Sequence, residues 1–301
     1  MPEENTTQFV GESTNTTSLP PLTPVAGLIE QSLNNFKRLF SNLFPWLVLS
    51  CLGGFMAALA HSAIPLWQQM IIAVVGVIIL FVSYVAEIRI ISGIEREPND
   101  IINNGRVSSK LLFPYIWIFI LEIFIFLSGG LFVVPAIIFA VYLMVLPFVF
   151  VVEGARGFQA LVRAWGYIAG RWWASFWRLA VAIFLLLIVT FVLNLILFLA
   201  FGSGALQSNR LWGVLLIQQL VEAFLIMPWM LCYLFEFYQN VRTTKAQPTS
   251  AEEKTAYLWL AIFLILGIIL ALLFAFSAVA HSAIHTMSVA TFGQGLQKPY
   301  W

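Results

Sequence analysis

The sequence predicts an all-α fold: a polytopic transmembrane helical bundle of about seven spans, with two amphipathic helices at the cytoplasmic interface. Three observations carry this. Of 301 residues, 61% are apolar and only 10% charged, against roughly 45–50% and 25% in a soluble domain. The apolar residues are collected into runs long enough to cross a bilayer, and the basic residues fall almost wholly on loops of one parity.

Residues 1–24 are acidic or polar and rich in Thr, Asn and Pro. No short apolar stretch follows a basic start, so this is a disordered tail rather than a secretory signal. From 25 to 44, Val25, Leu28, Ile29, Leu33, Phe36, Leu39, Phe40 and Leu43 recur at helical spacing, with Glu30, Asn34, Lys37, Arg38 and Ser41 opposite. That period predicts an amphipathic helix lying on a membrane surface. Crossing about 30 Å of hydrocarbon takes about 20 residues, and seven runs qualify: 45–60, 69–91, 111–128, 131–152, 176–201, 211–238 and 256–280. Between the third and fourth, Ser128-Gly129-Gly130 predicts a tight reversal, because paired glycines permit one.

A second amphipathic stretch, 157–169, places Phe158, Leu161, Val162, Trp165 and Ile168 on one side and Gln159 and Arg163 on the other. It too is expected in the interface; packing on protein is the alternative for both stretches, since it produces the same period. The organisation is therefore a six-span core over 25–242, a cytoplasmic linker 243–255, a seventh span 256–280 and a non-cytoplasmic tail 281–301.

Thirteen of the fifteen Lys and Arg fall on one side of this arrangement, leaving Arg210 and Lys298 on the other. Basic residues near span ends are retained in the cytoplasm, so the N-terminus is expected inside and the C-terminus outside. The net charge of +1 excludes a strongly basic nucleic-acid binder. The expected partners are the lipid bilayer and another membrane or cytoplasmic protein. Cys51 and Cys232 both sit in apolar runs and read as small hydrophobes.

Residues 130–179, GLFVVPAIIFAVYLMVLPFVFVVEGARGFQALVRAWGYIAGRWWASFWRL, resemble a membrane-domain family named after its fusion to bacterial glycerophosphoryl diester phosphodiesterases. The similarity lies in Pro135 and Pro147, the Glu153-Gly154 turn, the helix from Ala160 to Arg163, and Trp172-Trp173 at the start of the next span. The start at 28–44 and the segment MPWMLCYLFEFYQNVR extend it to about 25–242. Ala136 and Ala164 depart from the pattern, standing where Gly and Ser or Thr are common. The resemblance covers the membrane part alone and implies no phosphodiesterase activity, which belongs to a soluble domain with carboxylate metal ligands.

The residues themselves point the same way. Asp100 is the sole aspartate, and there is no phosphate-binding loop, nucleophile elbow or HExxH helix. Neither enzymatic activity nor a cofactor is expected. Around the elbow, Glu153 opens a cytoplasmic helix whose free N–H groups favour an anion. Arg156, Arg163, Arg171, Trp165, Trp172 and Trp173 read as interfacial anchors, which makes the elbow structural before it is a site.

Carboxyls inside spans are costly, which singles out Glu122 in span three and Glu222 in span six, the latter near Gln218 and Gln219. At about 1.5 Å per residue the two lie at similar depth. They are candidates for a relay or a polar binding site, though interhelical glue is the commoner use of such groups. Asn194 in span five falls at the depth of Gln218 and is expected to bond to it. Finally, His61, His281 and His285 share the non-cytoplasmic face, and a helix through 281–285 aligns two imidazoles. They are the candidates for a Zn²⁺ or Cu²⁺ ion, but no fourth ligand accompanies them, which favours ordinary interfacial imidazoles.

Overall fold

The computed structural model describes residues 21–59, 65–94, 101–130, 133–201, 216–245 and 250–295. All regular structure among them is helical: α1 (Val25–Leu59), α2 (Leu66–Ile91), α3 (Ile101–Gly130), α4 (Val133–Leu143), α5 (Leu146–Val152), α6 (Gly157–Ile168), α7 (Trp172–Phe201), α8 (Leu216–Thr244) and α9 (Ser250–Gly295). Six of them, α1, α2, α3, α7, α8 and α9, contain stretches long and apolar enough to cross a membrane. The chain is a multi-pass membrane protein.

Where the sequence suggests a fourth uniform span, 131–152, the chain is two short helices. Pro147 sits in the first turn of α5, and its ring collides with the carbonyl four residues back, at Leu143. Leu143 is where α4 ends. The chain turns through Met144 and Val145, whose carbonyl accepts the N–H groups of Phe148 and Val149 at 3.1 Å each. Both residues of the glycine pair belong to α3, which ends at Gly130; residues 131 and 132 lie outside the described residues, and α3 and α4 pack against each other.

The stretch 25–44 is helical, but α1 runs on through Pro45 into the first span as one helix of 35 residues. It lies along α8 rather than apart from the bundle. Asn35 donates to Glu236, and the Phe44 and Phe224 rings meet at 5.7 Å. Of the stretch 1–24 expected as a disordered tail, residues 1–20 lie outside the described residues, and residues 21–24 are tied down. Arg178 donates to the carbonyls of Leu22 and Thr23 at 2.9 Å each, and Asn240 bonds to Thr23.

Helix α6 departs furthest from expectation. Eight of its twelve residues are buried, and it packs against α3, α4, α5, α8 and α9. Trp165 stacks on Tyr142 with ring centroids 3.7 Å apart and planes within 3°. An amphipathic stripe is equally satisfied by lipid or by protein; here aromatic partners from α4 occupy the place of lipid.

Elsewhere two backbones meet directly. A Cβ on Gly267 of α9 would collide with the Phe124 carbonyl of α3, so glycine permits this close helix crossing. Helix α9 itself extends to Gly295, and 281–295 is therefore helix where a tail is expected.

Candidate functional site

Seven chain segments converge on one end of the bundle: the start of α1, the ends of α2 and α5, α6, the start of α7, the end of α8 and the start of α9. At their centre is Glu153. It caps the C-terminus of α5, its N–H bonded to the Val149 carbonyl at 3.2 Å, and does not open α6, which begins at Gly157. Gly154, at φ +67°, makes the turn away from α5, a backbone state that favours glycine.

The Glu153 side chain is 8% exposed, and its needs are met by side chains rather than by free helical N–H groups. Tyr167 of α6 and Tyr238 of α8 both donate to Oε1 at 2.7 Å. Arg163 approaches Oε2 at 3.4 Å, and Arg242 Nε lies 4.0 Å from Oε1. Two hydroxyls and two guanidinium groups thus stabilise one carboxylate at a protein–water boundary. Burial, together with the adjacent carboxylate, pushes the Tyr167 phenol well above its ordinary pKa, keeping it a donor.

Beside this cluster opens a cleft of 370 Å³ lined by Ser92, Val152, Phe235, Tyr238, Gln239, Arg242 and Thr243. Arg242 is half-exposed, leaving its guanidinium open to an anion while its Nε faces Glu153. Val152 and Phe235 supply an apolar wall. The lining is thus both polar and apolar.

The remaining elbow residues take unlike roles. Arg171 is buried and donates to the Thr244 hydroxyl and carbonyl. Arg156 lies exposed, its guanidinium 4.5 Å above the Phe150 ring. Trp172 stacks on Phe176 and donates to the Ile138 carbonyl at 3.4 Å, whereas Trp173 is 67% exposed and alone of the three singled-out tryptophans has the exposure of an interfacial anchor. Lys245 joins α8 to the Ala169 carbonyl at 2.8 Å and to Glu252 of α9 at 2.7 Å.

The intramembrane candidates are dispersed. Glu222 begins a π-helical turn, Glu222–Ile226, and accepts from Gln218 at 2.9 Å. The turn precedes Pro228, which has no N–H for the Phe224 carbonyl, so the widened coil absorbs the break. Gln219 lies over Gly54 of α1. Glu122 belongs to α3 and faces Tyr84 and Tyr115; no bond or ion pair joins it to Glu222. Asn194 is exposed on α7 and donates to its own helix, to the Thr190 carbonyl at 2.8 Å, rather than to Gln218.

Among the described residues no group of three or more His, Cys, Asp or Glu is placed to hold a metal ion. His61 lies outside those residues, as do the side chains of His281 and His285.

Sequence reasoning passes over Tyr167, Tyr238 and Arg242 as site residues, and it reads Glu87 and Arg178 only as span-end groups that reach water, whereas Glu87 is buried and accepts from Ser50 at 2.7 Å. The available signal is that a tyrosine in an apolar run still needs a partner for its hydroxyl. Compared with known proteins, the chain matches no family model, no curated protein and no solved structure.

Proposed function

We propose that this multi-pass protein is a non-enzymatic membrane scaffold or assembly partner whose working surface is the basic end of the bundle, facing the cytoplasm of a bacterial inner membrane. The observation that carries the reading is the Glu153 cluster. It locks α5, α6 and α8 together and leaves Arg242 on the wall of a cleft with polar and apolar lining. A rigid, cationic, half-apolar recess at a membrane boundary suits an anionic lipid headgroup. Kinship with the phosphodiesterase-linked membrane-domain family is part of the same proposal and rests on the residues of the elbow and of α8.

The test is lipid retention by the purified full chain in nanodiscs, read by native mass spectrometry. Phosphatidylglycerol is expected to stay bound in preference to phosphatidylcholine, and Arg242→Gln is expected to remove the preference. Equal retention of both lipids by the unaltered chain overturns the reading.

A small transporter is the second reading, favoured by the π-helical turn at Glu222. Such turns are frequent at functional sites, and this one places irregular backbone beside an intramembrane carboxyl.

A further inference from the structure

The outward side of α7 carries a line of residues alternating three and four apart: Phe184, Leu187, Phe191, Asn194 and Phe198. They are among the most open apolar groups of the molecule, with Phe184, Leu187, Phe191 and Phe198 at 62%, 60%, 68% and 59% exposure. A spacing averaging 3.5 residues is that of a helix seam. Lipid tails satisfy Phe and Leu but not Asn194. Its carboxamide has one partner among the described residues, the Thr190 carbonyl of its own helix. That leaves a second N–H and the Oδ1 facing outward.

Asn194 lies well inside the hydrocarbon. The apolar run 176–201 is centred near 188–189, and Asn194 is about 8 Å from that centre at 1.5 Å per residue, within the half-thickness of about 15 Å. No water reaches a lipid-facing amide at that depth, so its unmet groups favour any partner that supplies both a donor and an acceptor.

We infer that this face of α7 is the interface for a second copy of the same chain, with Asn194 hydrogen-bonded to its own counterpart. Two copies inserted in the same direction are related by a two-fold axis along the membrane normal, so their α7 helices run parallel and each residue meets its counterpart at equal depth. A carboxamide is self-complementary, offering N–H and C=O together. Two Asn194 side chains therefore exchange hydrogen bonds where lipid offers none. A single Asn in an otherwise apolar seam also sets the register and the pairwise state. This inference stands on the membrane placement of α7 and not on the headgroup reading of the cleft.

The experiment follows association of the full chain in liposomes by energy transfer between fluorescently tagged copies over a lipid-dilution series. Wild type is expected to associate. Asn194→Leu is expected to weaken the association about three- to thirtyfold, the range that one or two interhelical polar bonds supply, while Asn194→Gln retains most of it. Leucine on a lipid-facing position does not endanger the fold, and circular dichroism of each variant verifies that. In a background of Cys51→Ser and Cys232→Ser, Phe191→Cys is expected to cross-link between copies, and Val189→Cys, on the opposite side of the helix, is not. Wild type that stays monomeric at every dilution, an Asn194→Leu chain that associates as well as wild type, or equal cross-linking from both positions overturns the inference.

Discussion

The Tyr238 hydroxyl donates to Oε1 of Glu153 at 2.7 Å across 85 positions of sequence. This bond connects the last turn of α5 to α8, and Tyr167 of α6 reaches the same oxygen at the same distance. Their rings lie 6.1 Å apart and nearly perpendicular, so each hydroxyl approaches from its own side. One carboxylate oxygen therefore fixes the relation of three helices at the basic end.

Tyr238→Phe removes one charge-assisted bond and leaves the carboxylate otherwise paired, so a loss of about 1.5–3 kcal/mol is expected. Glu153→Leu leaves two buried hydroxyls without their acceptor and Arg163 and Arg242 without their anion, and a larger loss is expected. Thermal unfolding in detergent orders the variants. A Glu153→Leu protein as stable as wild type would show that the cluster does not hold the elbow.

The same cluster predicts an alkaline limb to stability. Because the Tyr167 phenol titrates higher folded than unfolded, its contribution is complete below the ordinary tyrosine value of about 10. It is lost as pH rises beyond that, when the unfolded chain ionises first. Tyr167→Phe should be less stable at neutral pH and show a shallower decline above pH about 10. Parallel pH profiles for the two proteins would remove Tyr167 as the source.

Helix identity was legible in the sequence and helix environment was not. The glycine pair at 129–130 marks where α3 ends, and the 3.6-residue period marks 25–44 and 157–169 as helical, because these are local properties of the chain. Whether Leu161 and Trp165 meet lipid or Tyr142 is decided by residues far away in sequence, so α6 reads as a surface helix until α4 is placed against it. The break at Leu143 was open to reading, since Pro147 dictates it locally. Glu153 was visible as a residue of interest, but its partners lie on α6 and α8 at no fixed spacing.

Two glycines should respond differently to the same change. A Cβ at Gly54 would meet the amide end of Gln219, which rotates away, whereas at Gly267 it would meet the Phe124 backbone. Gly54→Ala should therefore cost little, and Gly267→Ala about 1–3 kcal/mol, the usual range for overpacking. Unfolding midpoints of the two variants compare them directly, and equal midpoints would deny the close crossing of α3 and α9.

At the π-helical turn, Gln218 and Glu222 bond along one helix face. If the pair is structural, Glu222→Gln is tolerated and Glu222→Leu loses up to about 1 kcal/mol. If it belongs to a pathway, Glu222→Gln folds normally yet abolishes a pH-dependent flux in proteoliposomes. Flux through the Glu222→Gln protein separates the readings, since that variant keeps its stability under both and loses flux only if the pair lies on a pathway.

Orientation is the prediction on which the cytoplasmic placement of the cleft depends. Lys245, Arg242, Arg171 and Arg178 are brought to one end of the bundle by contacts among α7, α8, α9 and residues 21–24, and thirteen of fifteen basic residues fall on loops of the same parity. Retention of basic loops then orients that end inward. Counted as one crossing made in two pieces, α4 and α5 add to the six long apolar helices to give an odd number, which predicts termini on opposite sides of the membrane. Reporter fusions should thus show cytoplasmic activity after Lys245 and export after Lys298. A fusion exported after Lys245 reverses the bundle and puts the cleft outside, while a cytoplasmic fusion after Lys298 shows that α4–α5 or α9 does not cross.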